Sequence, residues 1–411
     1  MKKEIYDVGE MPKLGVIPKK MHAWTIRTER LGEPLTAFQE EIVPVPPIGD
    51  DELLIANVYA GVNYNGVWAA MGKPKNVIMS NGDYGDQPSD FHICGSECSG
   101  IVYDVGKNVK DYKVGDHVCA GGAQYDVNCE LIQSGADPCF SPTYRIWGYE
   151  TSWGSFAQFS KVKELQCVKK PDFMTWAEAA ASTATGVTVY RMLTRWQENQ
   201  IKAGDVVLVW GGMGGVGSAA IPLIKHFGAI PIAVVSDDEK GKKCIELGAK
   251  DYINRTKYNH WGNIESLDSR QYRRWIAKAE LFKREIMKKS GVNKAPSIVI
   301  EHPGADTLPT SLFVCDAGGM VVLCGATSSY IADMDLRFLW LSQKRIQGCH
   351  AGTHEDYKGY IKAMEQSKIR PMISHIYSWN ELPLAHENMR KGTVSGKTLI
   401  EICPTGGCGV D

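Results

Sequence analysis

Gly212, Gly214 and Gly217 stand at the spacing G-x-G-x-x-G, between an apolar, largely β-branched run at 206–209 and an Ala- and Ile-containing stretch at 218–227. The run predicts a strand and the stretch a helix. In that setting the glycines divide three tasks: a tight turn, close approach of backbone to a pyrophosphate, and close packing of helix on strand. With Gly215 inside the loop, the helix N-terminus offers free N–H groups and a positive dipole end to phosphates. A second apolar run at 230–235 ends where such a unit needs a ribose reader, about twenty residues past the last glycine. NAD or NADP is the expected cofactor. Ser236 at the strand end, with Lys240 and Arg255 nearby, supplies room and positive charge for a 2′-phosphate and favours NADPH. Asp237 and Asp238 pull toward NAD, since an acid there can take a ribose diol. Thr188, just upstream, is a candidate neighbour of the nicotinamide; the alternative is a helix threonine bonded to its own backbone.

Metal chemistry has little footing. The 12 cysteines include no C-x-x-C pair, and their scatter among apolar residues predicts reduced thiols in the core. A net charge of −1, with 44% hydrophobic and 23% charged residues, gives no basis for nucleic-acid or membrane-surface binding. No run approaches the roughly 18 apolar residues of a membrane span, and the first residues lack the apolar core of a signal peptide, so a cytoplasmic protein is expected.

The elements that must hold these residues follow from periodicity. Residues 1–20 predict a polar arm with little structure of its own. Short alternating runs at 23–26, 38–43, 52–60, 100–106 and 115–120, divided by Pro and Gly, predict strands of a small, strongly bent sheet or barrel. Near Pro171 the pattern changes: Thr175 with Glu178 three residues on predicts a capped helix running toward 192. Strands and helices then alternate to about residue 324, which argues a parallel sheet with helices on both faces. The Lys- and Arg-rich stretch at 271–289 carries Trp275, Ala279, Phe282 and Ile286 at helical spacing, so it reads as a solvated basic face over an apolar stripe, in preference to a phosphate site.

With the glycine loop, the segments Gly95-Ser-Glu-Cys-Ser-Gly-Ile-Val102, Val114-Gly-Asp-His-Val118 and Gly154-Ser-Phe-Ala-Gln-Phe159 give the chain a resemblance to the medium-chain dehydrogenase/reductase superfamily. The resemblance implies an α/β architecture: a β-rich GroES-like catalytic domain from 1–187 and 346–411, and a Rossmann doubly wound parallel-sheet domain over 188–345. Zinc-dependent members carry histidine at the position of Ser96 and usually a cysteine in the segment matching Val62-Asn-Tyr64. Both are missing here, as is the four-cysteine lobe, so the resemblance is to a zinc-free member acting on a polarised carbon-carbon double bond. Four segments sharpen it: Val62-Asn-Tyr-Asn-Gly-Val-Trp68, Arg145-Ile-Trp-Gly-Tyr-Glu-Thr151, Val299-Ile-Glu-His-Pro-Gly304 and the 336–350 region ending in Gly348-Cys-His350 closely resemble crotonyl-CoA carboxylase/reductase.

That resemblance implies NADPH-dependent reductive carboxylation of a 2-enoyl-CoA, with carbon dioxide captured by an asparagine, an aromatic followed by a glutamate, and a histidine. Asn63, Glu150 and His350 match, with Tyr149 where phenylalanine is common. An amide N–H and an imidazole N–H suit the partially negative oxygens of carbon dioxide, whereas an ionised Glu150 can only accept and would orient His350 or a water. Taken singly, each has a plainer reading: a turn-forming asparagine, a loop carboxylate, a core histidine. The family also implies that Ser236, Lys240 and Arg255 read NADPH, that Arg337 lies near the coenzyme A nucleotide, and that the chain forms a homo-oligomer, commonly a tetramer. An ion pair of Arg337 with Asp333 or Asp335 is the alternative for that residue. Two rival functions stand beside carboxylation: an enoyl-CoA (acryloyl-CoA) reductase that protonates the enolate, and a catalytically silent, crystallin-like NADPH-binding protein.

Overall fold

The computed structural model describes residues 3–79, 88, 90–262, 264, 266–267 and 269–404; Cys408, and Asp268 at the start of the basic stretch, lie outside them. The chain divides into two units. One takes the residues up to Val187, Gly352–Ile361 and those from Arg370 onward; the other takes Thr188–Ala351 and Lys362–Ile369.

In the first unit the strand Glu52–Val62 is the organiser. It pairs antiparallel with Glu97–Val105, Phe159–Lys163 and Lys397–Glu401 in a seven-stranded sheet, and almost all of its length is buried. A second sheet orders Gln39–Pro44, Lys20–Ile26 and His92–Ile93. Met21, Ala23, Leu54, Ile101 and Phe159 meet in one apolar core. Among its described residues the N-terminal segment has no strand or helix before Lys20, as expected, yet it is not a free arm. Its carbonyls serve buried donors: Tyr103 Oη donates to Pro12 O (2.5 Å), and Gln158 Nε2 donates to Tyr6 O (3.2 Å) and Asp7 O (3.0 Å). The capping box at Thr175 and Glu178 forms as predicted, but the helix is two helices, Trp176–Ala180 and Thr183–Thr194. Between them Ser182 donates to Ala179 O (3.2 Å), a side-chain bond that competes with continued helix.

The second unit is a six-stranded sheet in the order Asp251–Asn254, Ile230–Val235, Val206–Trp210, Ile298–Glu301, Met320–Leu323, Arg345–Gly348, with every neighbouring pair parallel. Its four inner strands are near-continuous apolar runs because both faces are covered, whereas the edge strands Asp251–Asn254 and Arg345–Gly348 are mixed. Val206, Leu208, Ile232, Val299 and Val321 pack with Phe282 and Ile286 of the helix Arg270–Ser290, which buries its apolar stripe and turns its basic residues outward. No helix among the described residues is long and apolar enough to cross a membrane, and all described cysteines are free, most of them buried.

Glu301 closes the strand Ile298–Glu301 inside this core. It is fully buried and accepts from Thr307 Oγ1 (2.7 Å), Ser311 Oγ (2.5 Å) and Gly304 N (3.2 Å). Desolvation outweighs those donors and pushes its carboxyl from an ordinary 4.5 up to about 7. The unfolded chain therefore gives up this proton before the folded chain does, so stability should fall as pH rises from about 4.5 through about 7. Thermal melts at pH 5 and pH 8 check this: Glu301→Gln, which has no proton to lose, should shrink the wild-type drop in Tm between them.

Candidate active site

The glycine loop sits at the end of Val206–Trp210, and the helix that follows is Gly215–His226, starting three residues earlier than the apolar stretch suggests because the glycines themselves form its first turn. The left-handed turn falls on Gly211 (φ +57°), not on Gly212. Gly212 packs against the next strand and helix, where a Cβ would lie 2.8 Å from Ala233 Cβ and 2.9 Å from Cys244 Sγ. A Cβ on Gly217 would lie 2.7 Å from Gly212 Cα, so helix and turn touch only because the residue is glycine. Gly214 is the N-cap and has only Gly211 O near its missing Cβ, at 3.2 Å. The cradle is open there, and the first-turn N–H groups behind it have no helical acceptors. Strand order reverses beside this loop, between Val206–Trp210 and Ile298–Glu301, the place where doubly wound sheets take ligands.

At the next strand end, Lys240 Nζ donates to Ser236 Oγ (3.0 Å) and lies 3.4 Å from Asp237 Oδ2. Asp237 is the N-cap of Asp238–Leu247: its carboxylate accepts from Lys240 N (2.8 Å), chiefly for which its pKa is held below the ordinary value. Asp238 accepts from Asn254 Nδ2 (3.2 Å) and lies 3.6 Å from Lys257 Nζ. Both acids thus have structural partners. Val235 pairs with Asn254, so Ser236 and Arg255 leave neighbouring strands side by side, with Arg255 exposed. A glycine cradle a Cβ would fill, with Ser236, Lys240 and Arg255 beyond it, fits the pyrophosphate and 2′-phosphate of NADPH. Thr188 lies on Thr183–Thr194, and its carbonyl accepts from Cys349 Sγ at 3.8 Å.

In the first unit, three strand ends converge on Asn63. Val62 pairs with Thr398 on one side and Ala60 with Cys98 on the other, which brings Lys397 and Glu97 to the end of the organising strand. Gly61 leaves the space for the Glu97 carboxyl: a Cβ there would lie 2.5 Å from Glu97 Cδ. Asn63 precedes the helix Tyr64–Met71 but makes no side-chain cap, so the turn-forming reading does not describe its amide. Instead Nδ2 donates to Glu97 Oε1 (2.8 Å) and Oδ1 accepts from Lys397 Nζ (2.7 Å), while Lys397 and Glu97 form a buried ion pair. The other Glu97 oxygen accepts from Ala184 N (2.8 Å) and Thr183 Oγ1 (3.3 Å) at the start of Thr183–Thr194. Sequence reasoning missed Glu97 and Lys397. Glu97 lay inside a quoted motif, but nothing near Lys397 marks it.

Tyr149 is buried, and its hydroxyl donates to Lys73 O (3.3 Å). Glu150 accepts from Ile146 N (2.9 Å) on one oxygen and from Lys75 Nζ (2.7 Å) on the other, so it is a clamped carboxylate on a partly buried side chain. Lys75 is a third residue that sequence reasoning did not single out. His350 belongs to the other unit: it follows Arg345–Gly348, the sixth strand of the nucleotide sheet, and is exposed, which sets aside the core-histidine reading. Arg337 realises its ion-pair alternative. Its Nε and Nη2 grip Asp335 at 2.9 and 2.6 Å, and Nη2 also donates to Tyr272 Oη (2.8 Å). Arg337 is the main reason the Asp335 pKa falls to about 2.

Two family models match, the alcohol dehydrogenase GroES-like domain over residues 49–172 and the zinc-binding dehydrogenase domain over 215–366. The residues here do not fit zinc: among the described residues no group of three His, Cys, Asp or Glu could hold a metal, and Ser96 Oγ accepts from Asn65 Nδ2 at 2.6 Å. The chain is 44% identical, over 94% of its length and 89% of the relative's, to a crotonyl-CoA carboxylase/reductase of Cereibacter sphaeroides. The solved structure of crotonyl-CoA carboxylase/reductase AntE in complex with NADP matches at TM-score 0.92 and 43% identity, covering 98% of this chain and 100% of that one. The 2-octenoyl-CoA carboxylase reductase CinF, in complex with NADP and 2-octenoyl-CoA, matches at TM-score 0.86 and 32% identity, covering 96% and 90%. With its fold, its glycine cradle and these relatives in agreement, the chain belongs to the crotonyl-CoA carboxylase/reductase family.

Proposed function

We propose that the chain catalyses NADPH-dependent reductive carboxylation of a 2-enoyl-CoA such as crotonyl-CoA or acryloyl-CoA, giving ethylmalonyl-CoA or methylmalonyl-CoA. The observation that carries the reading is the 44% identity to a carboxylase/reductase along nearly the whole of both chains. When bound, NADPH supplies the hydride that the β-carbon receives. The double-bond electron pair then becomes the α-carbon nucleophile of an enolate, which bonds to the carbon of carbon dioxide. One C=O pair of carbon dioxide moves onto oxygen as carboxylate. No proton enters this balance, so the residues must hold carbon dioxide and withhold protons.

Asn63 contributes an amide N–H and His350 an imidazole N–H to the oxygens on which charge builds. Glu150, an acceptor fixed by Ile146 and Lys75, orients the imidazole or a water and delivers no proton while ionised. Tyr149 fills the aromatic position, with its hydroxyl directed to Lys73. In the nucleotide unit, Gly212, Gly214, Gly215 and Gly217 form the pyrophosphate cradle, Ser236, Lys240 and Arg255 take the 2′-phosphate, and Thr188 neighbours the nicotinamide. Arg337 keeps a role at the coenzyme A nucleotide only insofar as phosphate competes with Asp335 for its donors. Exposed Ile331, Leu336, Trp340 and Leu341 support a homo-oligomer, a tetramer on family grounds, in a cytoplasmic enzyme.

NADPH oxidation with crotonyl-CoA, with and without saturating bicarbonate plus carbonic anhydrase, tests the reaction. A product one carboxyl group heavier than butyryl-CoA, dependent on carbon dioxide, is expected; butyryl-CoA alone at high carbon dioxide would make the chain a simple reductase. Glu150→Ala and His350→Asn should each move product from ethylmalonyl-CoA toward butyryl-CoA while NADPH still binds, and unchanged product ratios in both would remove these residues from the pocket. Lys240→Ala deletes a charge-assisted phosphate bond and should raise the KM for NADPH by about 10- to 100-fold, narrowing the preference over NADH. Steady-state kinetics with both cofactors measures this.

A further inference from the structure

The Asn63 amide can present two different chemistries. Turned one way it offers an N–H to a ligand; turned the other way it offers carbonyl lone pairs, which repel the oxygens of carbon dioxide. What decides the face is a pair of charges. Lys397 Nζ sits 2.7 Å from Oδ1, and Glu97 Oε1 sits 2.8 Å from Nδ2. The two charges are bonded to each other, so the planar amide lays its oxygen and one N–H along the ion pair and keeps the second N–H on the opposite side of Nδ2. A flipped amide would set oxygen against carboxylate and N–H against ammonium, losing two charge-assisted bonds at once.

The pair is built to hold. The side chains of Lys397 and Glu97 are 3% and 0% exposed. The second Glu97 oxygen is tied to Ala184 N and Thr183 Oγ1 at the positive end of the helix Thr183–Thr194. Lys397 also donates to Val62 O at 3.4 Å. An ion pair this dry contributes little net stability against a hydrophobic replacement, and fixing one arrangement of a neighbour is its better-attested use.

We propose that Glu97 and Lys397 are positioning residues for carboxylation: their ion pair locks the Asn63 amide with an N–H, never the carbonyl, presented to carbon dioxide. The inference rests on the reading of Asn63 as a carbon dioxide donor. The pair acts through Asn63, on the partition of the enolate between carboxylation and protonation.

The test replaces both charges by neutral amides, E97Q/K397Q, in the full-length chain. Initial rates and acyl-CoA masses are read with crotonyl-CoA and NADPH across a bicarbonate series with carbonic anhydrase. The double variant should still oxidise NADPH, while its apparent KM for carbon dioxide rises about tenfold, the gap between a charge-assisted and a neutral hydrogen bond. Its ethylmalonyl-CoA to butyryl-CoA ratio at subsaturating carbon dioxide should fall in step, with the KM for NADPH held. Lys397→Arg keeps the charge and should return the ratio toward wild type, a rescue that a purely structural role would not require. If the double variant does not fold, Glu97→Gln alone should show the same rise in smaller measure. A folded E97Q/K397Q or Glu97→Gln protein with wild-type carbon dioxide KM and product ratio overturns the proposal. Asn63→Ala in the same assay separates the two readings. If it lowers the carboxylated share and the charge variants do not, positioning alone fails; a wild-type chain that never carboxylates takes the reading of function down with it.

Discussion

A buried charge must be answered at short range, and the first unit is arranged around one such answer. Glu97 and Lys397 lie 300 residues apart in sequence and meet at the end of one strand. Taking either charge out of water costs several kcal/mol, which the structure offsets only by pairing it and hydrogen-bonding what remains. Several features follow from that requirement. The strands Glu97–Val105 and Lys397–Glu401 flank Glu52–Val62 in registers that place the two charges opposite each other, and Gly61 gives up its side chain so that the carboxyl has room. The helix Thr183–Thr194 gives its Ala184 N–H and Thr183 hydroxyl to the other carboxylate oxygen. Asn63 is the polar group that closes the triangle. Its position at the mouth of the helix Tyr64–Met71 is therefore fixed by electrostatics more than by local turn preference.

The second unit solves a different problem, the presentation of positive potential from an almost uncharged sheet. Its inner strands are apolar because they are covered on both faces, so the chemistry is exported to their ends. The two acids after Val235 would spoil a phosphate site if they pointed at it. Asp238 bonds Asn254 and Asp237 caps the helix that follows, but Asp237 Oδ2 also accepts from Ser236 Oγ (3.0 Å) and lies 3.4 Å from Lys240 Nζ, so a 2′-phosphate must compete with it for those two donors. Counting acids near a ribose site is a poor guide to cofactor charge when the first turn of a helix needs an N-cap.

Legibility in the sequence tracked distance along the chain. The glycine loop, the alternation of strand and helix, and the apolar stripe of Arg270–Ser290 are local patterns, and the structure contains all three. Errors at that scale were small: a helix begun at Gly215, a helix broken at Ser182. The side-chain partners of the candidate site were not legible. Lys397 reads as an ordinary strand residue, and its bond to Asn63 spans 334 positions. Lys75 reads as a surface lysine until Glu150, 75 residues on, is folded against it. The resemblance to a family could name Asn63 and Glu150, but it could not say which groups hold them.

Carboxylation and simple reduction share every step up to the enolate, so what separates them is the supply of protons at that moment. The groups around the Tyr149–Glu150 corner bear on this in a consistent way. The hydroxyl that distinguishes Tyr149 from phenylalanine has its proton directed at Lys73 O. Glu150 accepts from the ammonium of Lys75 at 2.7 Å. Two successive residues thus each bond the 73–75 segment, Tyr149 as a donor and Glu150 as an acceptor. An amide N–H, by contrast, polarises an oxygen without giving up its proton at neutral pH. In the proposed reaction, an amide hydrogen bond to carbon dioxide would stabilise the carboxylate product, while the bonds made by Tyr149 and Lys75 hold their protons on protein acceptors.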